Sequence, residues 1–153
     1  MITGLAQPGQ LSKAVVDAGG KSMLVEFGGG SLSDCEVGVN GCMNVLKYRG
    51  QLRGAISGPK KVPLIEGTDV SLYQPSTTGM LISTHPTAAV GQTINTGTIA
   101  TLLCPGTGQQ LEEFESKREG ALLLLANASP AMMAAGDFGA AIGYPSKNIT
   151  VPN

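Results

Sequence analysis

Glycine and proline cut this chain into pieces. It carries 22 Gly and 9 Pro in 153 residues, and between Ser33 and Asp69 turn formers separate Cys35–Val39, Val45–Arg49, Gln51–Ile56 and Lys61–Ile65. Two of these runs alternate in polarity. Turn residues at roughly eight- to twelve-residue spacing mark an all-β sandwich or barrel rather than βαβ units. Pro63 inside its run points to an edge strand or a bulge. Lys21–Phe27 reads as a further strand, ended by Gly28-Gly29-Gly30.

No Asp, Glu, Lys or Arg occurs from residue 70 to residue 111. Within that stretch Val70–Gln74, Gly79–Thr84 and Gln92–Cys104 read as extended chain. So long an uncharged run is either the centre of a β-structure or partly a face against another protein, and its many hydroxyls need hydrogen-bond partners if buried. The second option predicts a homo-oligomer. Charge returns at Glu112. Leu111, Phe114 and the stem of Arg118 share one helical face across Gln109–Glu119, with Thr107 as N-cap and Gly120 as stop. Ala121–Ala126 fits a buried strand or a continued helix. Ser129-Pro130 opens a second short helix over Ala131–Ala135, terminated by Gly136. Leu11–Ala18 could form a short amphipathic turn closed by Gly19-Gly20, and Gly139–Asn153 is extended.

The expectation is therefore a mainly β (α+β) protein: a compact β-sandwich or barrel of short strands, one or two short C-terminal helices, and an extended N-terminal arm. At 15.6 kDa the mass suits one domain, divided as an arm over residues 1–9 and a single β-rich domain over residues 10–153. Met1–Gly9 lacks the basic start of a secretory signal, and Ala121–Ala126 is far short of the ~20 apolar residues of a membrane span. A soluble chain without membrane partners is expected.

Candidate chemistry is sparse. Gly106-Thr107-Gly108 lacks the Lys and Ser/Thr of a phosphate loop, and Gly28-Gly29-Gly30 lacks dinucleotide spacing. The single His85 and the three cysteines, Cys35, Cys42 and Cys104, have no Cys-x₂₋₄-Cys pair for zinc. Cys35 and Cys42 either bridge or remain thiols. The reading is no catalytic residue, no metal and no cofactor. Lys47, Arg49, Arg53, Lys60 and Lys61 form the only basic concentration. With Tyr48 as the one aromatic beside them and a net charge of −1, nucleic acid is not expected, and the cluster reads as polar strand faces or a docking patch for an acidic protein surface. Ile2, Thr3, Leu5 and Gln7 of the arm could add as a strand to a partner's sheet.

In the Met1–Gly9 arm, the Gly-split strands from Met23 to Cys104 and the Ala/Gly-rich close from Ala131 to Tyr144, the chain resembles the small capsid decoration (cement) proteins of tailed bacteriophages. That resemblance implies a structural virion protein, not an enzyme: a trimer on the outer capsid surface, assembled in the host cytoplasm, whose arm pairs with the major capsid protein and stabilises capsomer contacts. Two rivals stand beside it. One is another phage structural component (tail tube, head completion or fibre base), and the other is a small enzyme using Cys104 and His85.

Overall fold

The computed structural model describes residues 2–3, 7–25 and 32–151. Two helices come first, α1 (Leu11–Asp17) and α2 (Leu32–Tyr48). A two-residue strand β1 (Ile2–Thr3) precedes them. After them run β2 (Lys61–Glu66), β3 (Val70–Tyr73), β4 (Gly79–Ser83), β5 (Thr93–Ile94) and β6 (Gly97–Leu103). The chain continues through β7 (Gln110–Ser116), β8 (Ala121–Ala126), β9 (Ala131–Met133), β10 (Ala140–Gly143) and β11 (Lys147–Thr150). The described chain is thus mainly β with two short helices, the α+β class expected. It divides into two compact units: Met1–Gly4 with Pro63–Asn148, and Leu5–Val62 with Ile149–Asn153.

The first unit holds two four-stranded sheets, ordered β3-β10-β8-β5 and β7-β6-β4-β9. Their described pairings are all antiparallel. Both sheets contribute to one apolar cluster: Leu81, Ile99 and Leu102 from one, Ala121, Leu123 and Ile142 from the other. β10, whose four residues are all buried, lies between β3 and β8, and small Ala and Gly side chains suit so crowded a position. A register shift between Ala141 and Ile142 lets Leu124 and Leu125 of β8 both stay partly exposed while Ala126 turns in. Gly79 is required by close approach, because a Cβ there would lie 2.7 Å from Leu102 Cγ and 2.9 Å from the Leu103 carbonyl oxygen. Hydroxyls at the end of β4 find backbone partners: Thr84 Oγ1 donates to the Thr98 carbonyl at 2.7 Å and Ser83 Oγ to the His85 carbonyl at 2.8 Å.

Elsewhere β2 lies between β1 and β11 in a three-stranded sheet, with Ile2 opposite Ile65 and Thr3 opposite Glu66 in a parallel pairing. In the second unit both helices end in the same device. Gly50 N–H reaches back to the Lys47 carbonyl and Gln51 N–H to the Leu46 carbonyl, with Gly50 at φ +71°. This paired closure needs a left-handed residue, which glycine adopts without Cβ strain. Gly19 and Gly20 close α1 the same way, through Val16 and Val15.

Three expectations are corrected. The C-terminal helices are absent: Gln109–Glu119 holds β7, and Ala131–Ala135 holds β9 followed by a turn. β7 runs in period two, but its inward positions are Glu112, Phe114 and Ser116, two of them polar and hydrogen-bonded, so apolar alternation never showed. The helices lie instead in the first third of the chain. Cys35–Val39 and Val45–Arg49 are not strands, since α2 runs through nearly all of both; Cys35, Val39, Cys42, Met43 and Leu46 recur at helical spacing, a second period hidden under the alternation. Residues 21–25 and 51–56 carry no regular structure, and Glu26–Gly30, Leu5 and Gly4 lie outside the described residues. Cys35, Cys42 and Cys104 are all free thiols.

Candidate functional site

The first unit carries a groove of about 610 Å³ where the turn before β3 meets β7 and the residue after β10. A backbone hydrogen bond from Tyr144 N–H to the Asp69 carbonyl (3.0 Å) fixes these segments side by side. Arg118, just past β7, lays its guanidinium 3.7 Å from the Tyr144 ring centroid and reaches Asp69 Oδ1 at 3.2 Å. Stacking and ion pair together aim one cation without burying it. Ser116 Oγ donates to the Arg118 carbonyl at 3.0 Å and lies 3.2 Å from the Tyr144 hydroxyl. Glu113, Glu115 and Lys117 complete the polar wall, and Phe114 supplies an apolar floor. Three carboxylates against two cations suit a ligand of mixed charge better than a polyanion.

Next to it, Tyr73 and Phe114 stack with centroids 5.5 Å apart. Glu112 Oε2 accepts from the Tyr73 hydroxyl at 3.0 Å, and its Oε1 accepts from Ser76 N–H at 2.9 Å and Ser76 Oγ at 2.7 Å. The Ser76 hydroxyl, helped by Tyr73 and backbone N–H groups, holds the Glu112 carboxyl below the usual carboxylate range. Burial, then the Glu112 carboxylate, pushes the Tyr73 phenol well above its ordinary value. This is a structural clasp between β3 and β7.

The remaining candidates are dispersed. Thr84 N–H bonds the Ile99 carbonyl, so His85 lies at one end of β4, while Gly79 at the other end abuts Leu103 beside Cys104. Five residues of strand separate them, about 17 Å at the usual rise, so the two cannot act as a nucleophile–base pair. His85 Nδ1 instead meets Thr84 Oγ1 at 2.9 Å. The Cys104 thiol is drawn down by the Thr107 side chain and by the backbone of Gly106 and Thr107. Among the described residues no three His, Cys, Asp or Glu side chains gather as metal ligands, and no helix is long and apolar enough to cross a membrane.

Of the arm residues, Ile2 and Thr3 pair with β2, Gln7 N–H bonds Gln10 Oε1 at 2.9 Å, and Leu5 is outside the described residues. Lys47 sits in the last turn of α2 beside Gly54; Arg49 and Arg53 follow in the connecting chain, and Lys60 and Lys61 open β2. Sequence reasoning missed the Asp69–Arg118–Tyr144 grouping. Those residues are far apart in the chain, and only the position of Asp69 and Glu112 as boundaries of the uncharged run hinted that charge collects at the edge of this body.

No protein-family model matches the chain, and no curated relative matches it. Solved structures do. A succinylglutamate desuccinylase from Silicibacter sp. TM1040 matches 95% of this chain and 44% of its own at 22% identity and a TM-score of 0.73. The product-bound ectoine utilization protein EutE (DoeB) from Ruegeria pomeroyi matches 92% of this chain and 43% of its own, at 21% identity and a TM-score of 0.73. A succinylglutamate desuccinylase/aspartoacylase family protein from Shewanella amazonensis matches 79% and 33%, at 20% identity and a TM-score of 0.52. The chain therefore shares a fold with these bacterial proteins and spans less than half of their length. The finding overturns the resemblance to capsid decoration proteins, and with it the virion role, the capsid-surface location and the expectation of no enzymatic function. Composition misled because Gly-, Ala- and Thr-rich short strands serve equally well in any small antiparallel β body.

Proposed function

We propose that this chain forms part of a hydrolase that removes an acyl group from an acylated amino acid, the kind of reaction named by succinylglutamate desuccinylase. In such a reaction water adds across an amide: the C–N bond breaks, the acyl carbon takes the hydroxyl to become a carboxylate, and the nitrogen leaves as an amine. The observation that carries the reading is the fold shared over more than nine-tenths of the chain with a desuccinylase and with EutE at a TM-score of 0.73. On this reading the β-rich unit is a rigid body beside the reaction, and its groove at Arg118 and Tyr144 meets the polar end of a ligand. The test is to replace the matched segment of the Silicibacter desuccinylase with this chain and to follow glutamate release from succinylglutamate. Turnover is expected; a folded chimaera that leaves the substrate intact overturns the reading.

A further inference from the structure

Arg118 is aimed but not used up. Its guanidinium lies 3.7 Å from the Tyr144 ring centroid, and one nitrogen, Nη2, meets Asp69 Oδ1 at 3.2 Å. Closed arginine–carboxylate pairs are two-pronged, with bonds of about 2.7–2.9 Å. This one is single and long, and the side chain stays 58% exposed. The rest of its donor fork is left to the groove that Arg118 lines. The platform beneath it is fixed. Ser116, 2% exposed, spends its hydroxyl proton on the Arg118 carbonyl, so the Tyr144 hydroxyl donates to Ser116 Oγ at 3.2 Å. The carboxylates of the groove are unequal as well. Asp69 is engaged by Arg118, and Glu113 accepts from Thr98 Oγ1 and, at 3.3 Å, from Gln110 Nε2. No described residue forms an ion pair or a side-chain hydrogen bond with Glu115 or Lys117. The groove therefore keeps open an aimed guanidinium, one ammonium and one carboxylate.

We infer that the groove holds a free acidic amino acid, with one carboxylate on the Arg118 fork, the other on Lys117 and the amine on Glu115. Such a ligand carries two negative charges and one positive at neutral pH, the complement of what the groove leaves open. The inference rests on the functional reading above, on which the groove meets the polar end of a ligand, and it names that end. It also sets a direction. Acylation turns the amine into a neutral amide, which keeps both carboxylates but gives Glu115 no charge to meet. The charge-assisted bond to Glu115 is then lost, so the groove selects the amine released by hydrolysis over its acylated precursor. It is a product site, filled as the reaction proceeds. Its volume of about 610 Å³ lies in the range of small-molecule sites.

Backbone amide NMR of this chain tests it, with glutamate and N-acetylglutamate as the two titrants. Glutamate is expected to shift the amides of Asp69, Glu115, Lys117, Arg118 and Tyr144, and to bind at least tenfold more tightly than N-acetylglutamate. Arg118→Gln should weaken both ligands at least tenfold. Glu115→Gln should weaken glutamate alone and so erase the preference. Equal affinities in the parent chain, shifts confined to other residues, or a preference that survives Glu115→Gln overturn the proposal. Glu115 is exposed and its side chain holds no described partner, so Glu115→Gln decides even where Arg118→Gln unfolds. A chimaera that hydrolyses succinylglutamate, while glutamate leaves this groove unshifted, would sink this inference alone. Glutamate in the groove beside a folded but inactive chimaera would sink the reaction alone.

Discussion

At the level of single residues, Glu112 occupies an inward position of β7 that an apolar side chain would ordinarily fill. It is tolerated because Ser76 and Tyr73 satisfy both its oxygens. Its depressed pKa means the unfolded chain binds the extra proton on acidification. The contribution is therefore complete above the ordinary carboxylate value and is lost as pH falls through the lower folded one. Glu112→Gln should flatten the acid side of a stability–pH profile measured by urea unfolding. Tyr73 works in the other direction. Its raised pKa leaves its contribution intact up to the ordinary phenol value near 10, and that contribution fades as pH rises further. Tyr73→Phe keeps the ring stack on Phe114 but removes the hydrogen bond to Glu112. It should cost about 1 kcal/mol at neutral pH and abolish the extra alkaline loss, both readable in the same titration. In the groove, Arg118→Lys keeps the charge and loses the planar stack on Tyr144. A change of less than about 1 kcal/mol in stability is expected, because exposed ion pairs contribute little.

Among elements, the strands were far more legible than the helices. β3, β4 and β6 emerged from Val70–Gln74, Gly79–Thr84 and Gln92–Cys104 because long-range pairing there agrees with local β-propensity. β7 did not, since its inward slots hold Glu112 and Ser116 and its apolar residues happen to fall at helical spacing. α2 failed for the mirror reason: Cys35 to Val39 alternates, and the helical stripe beneath it does not end up in a core, so burial could not arbitrate. The groove was illegible because Asp69, Arg118 and Tyr144 meet only through sheet topology. Close packing at the β4–β6 contact carries its own test. Gly79→Ala places a Cβ against Leu102 and the Leu103 carbonyl, and overpacking of this kind should cost about 1–3 kcal/mol in thermal unfolding.

The whole molecule holds a β-rich unit with its own core and a helical unit whose α2 side chains are largely exposed. Protection from exchange follows buried, hydrogen-bonded structure, so the two units should differ. Amide hydrogen exchange of this chain, read by mass spectrometry, tests that description most directly. Slow exchange in β6, β8 and β10 is expected, with α2 fast. Equal protection of α2 and β6, or fast exchange in β6 and β10, would contradict it.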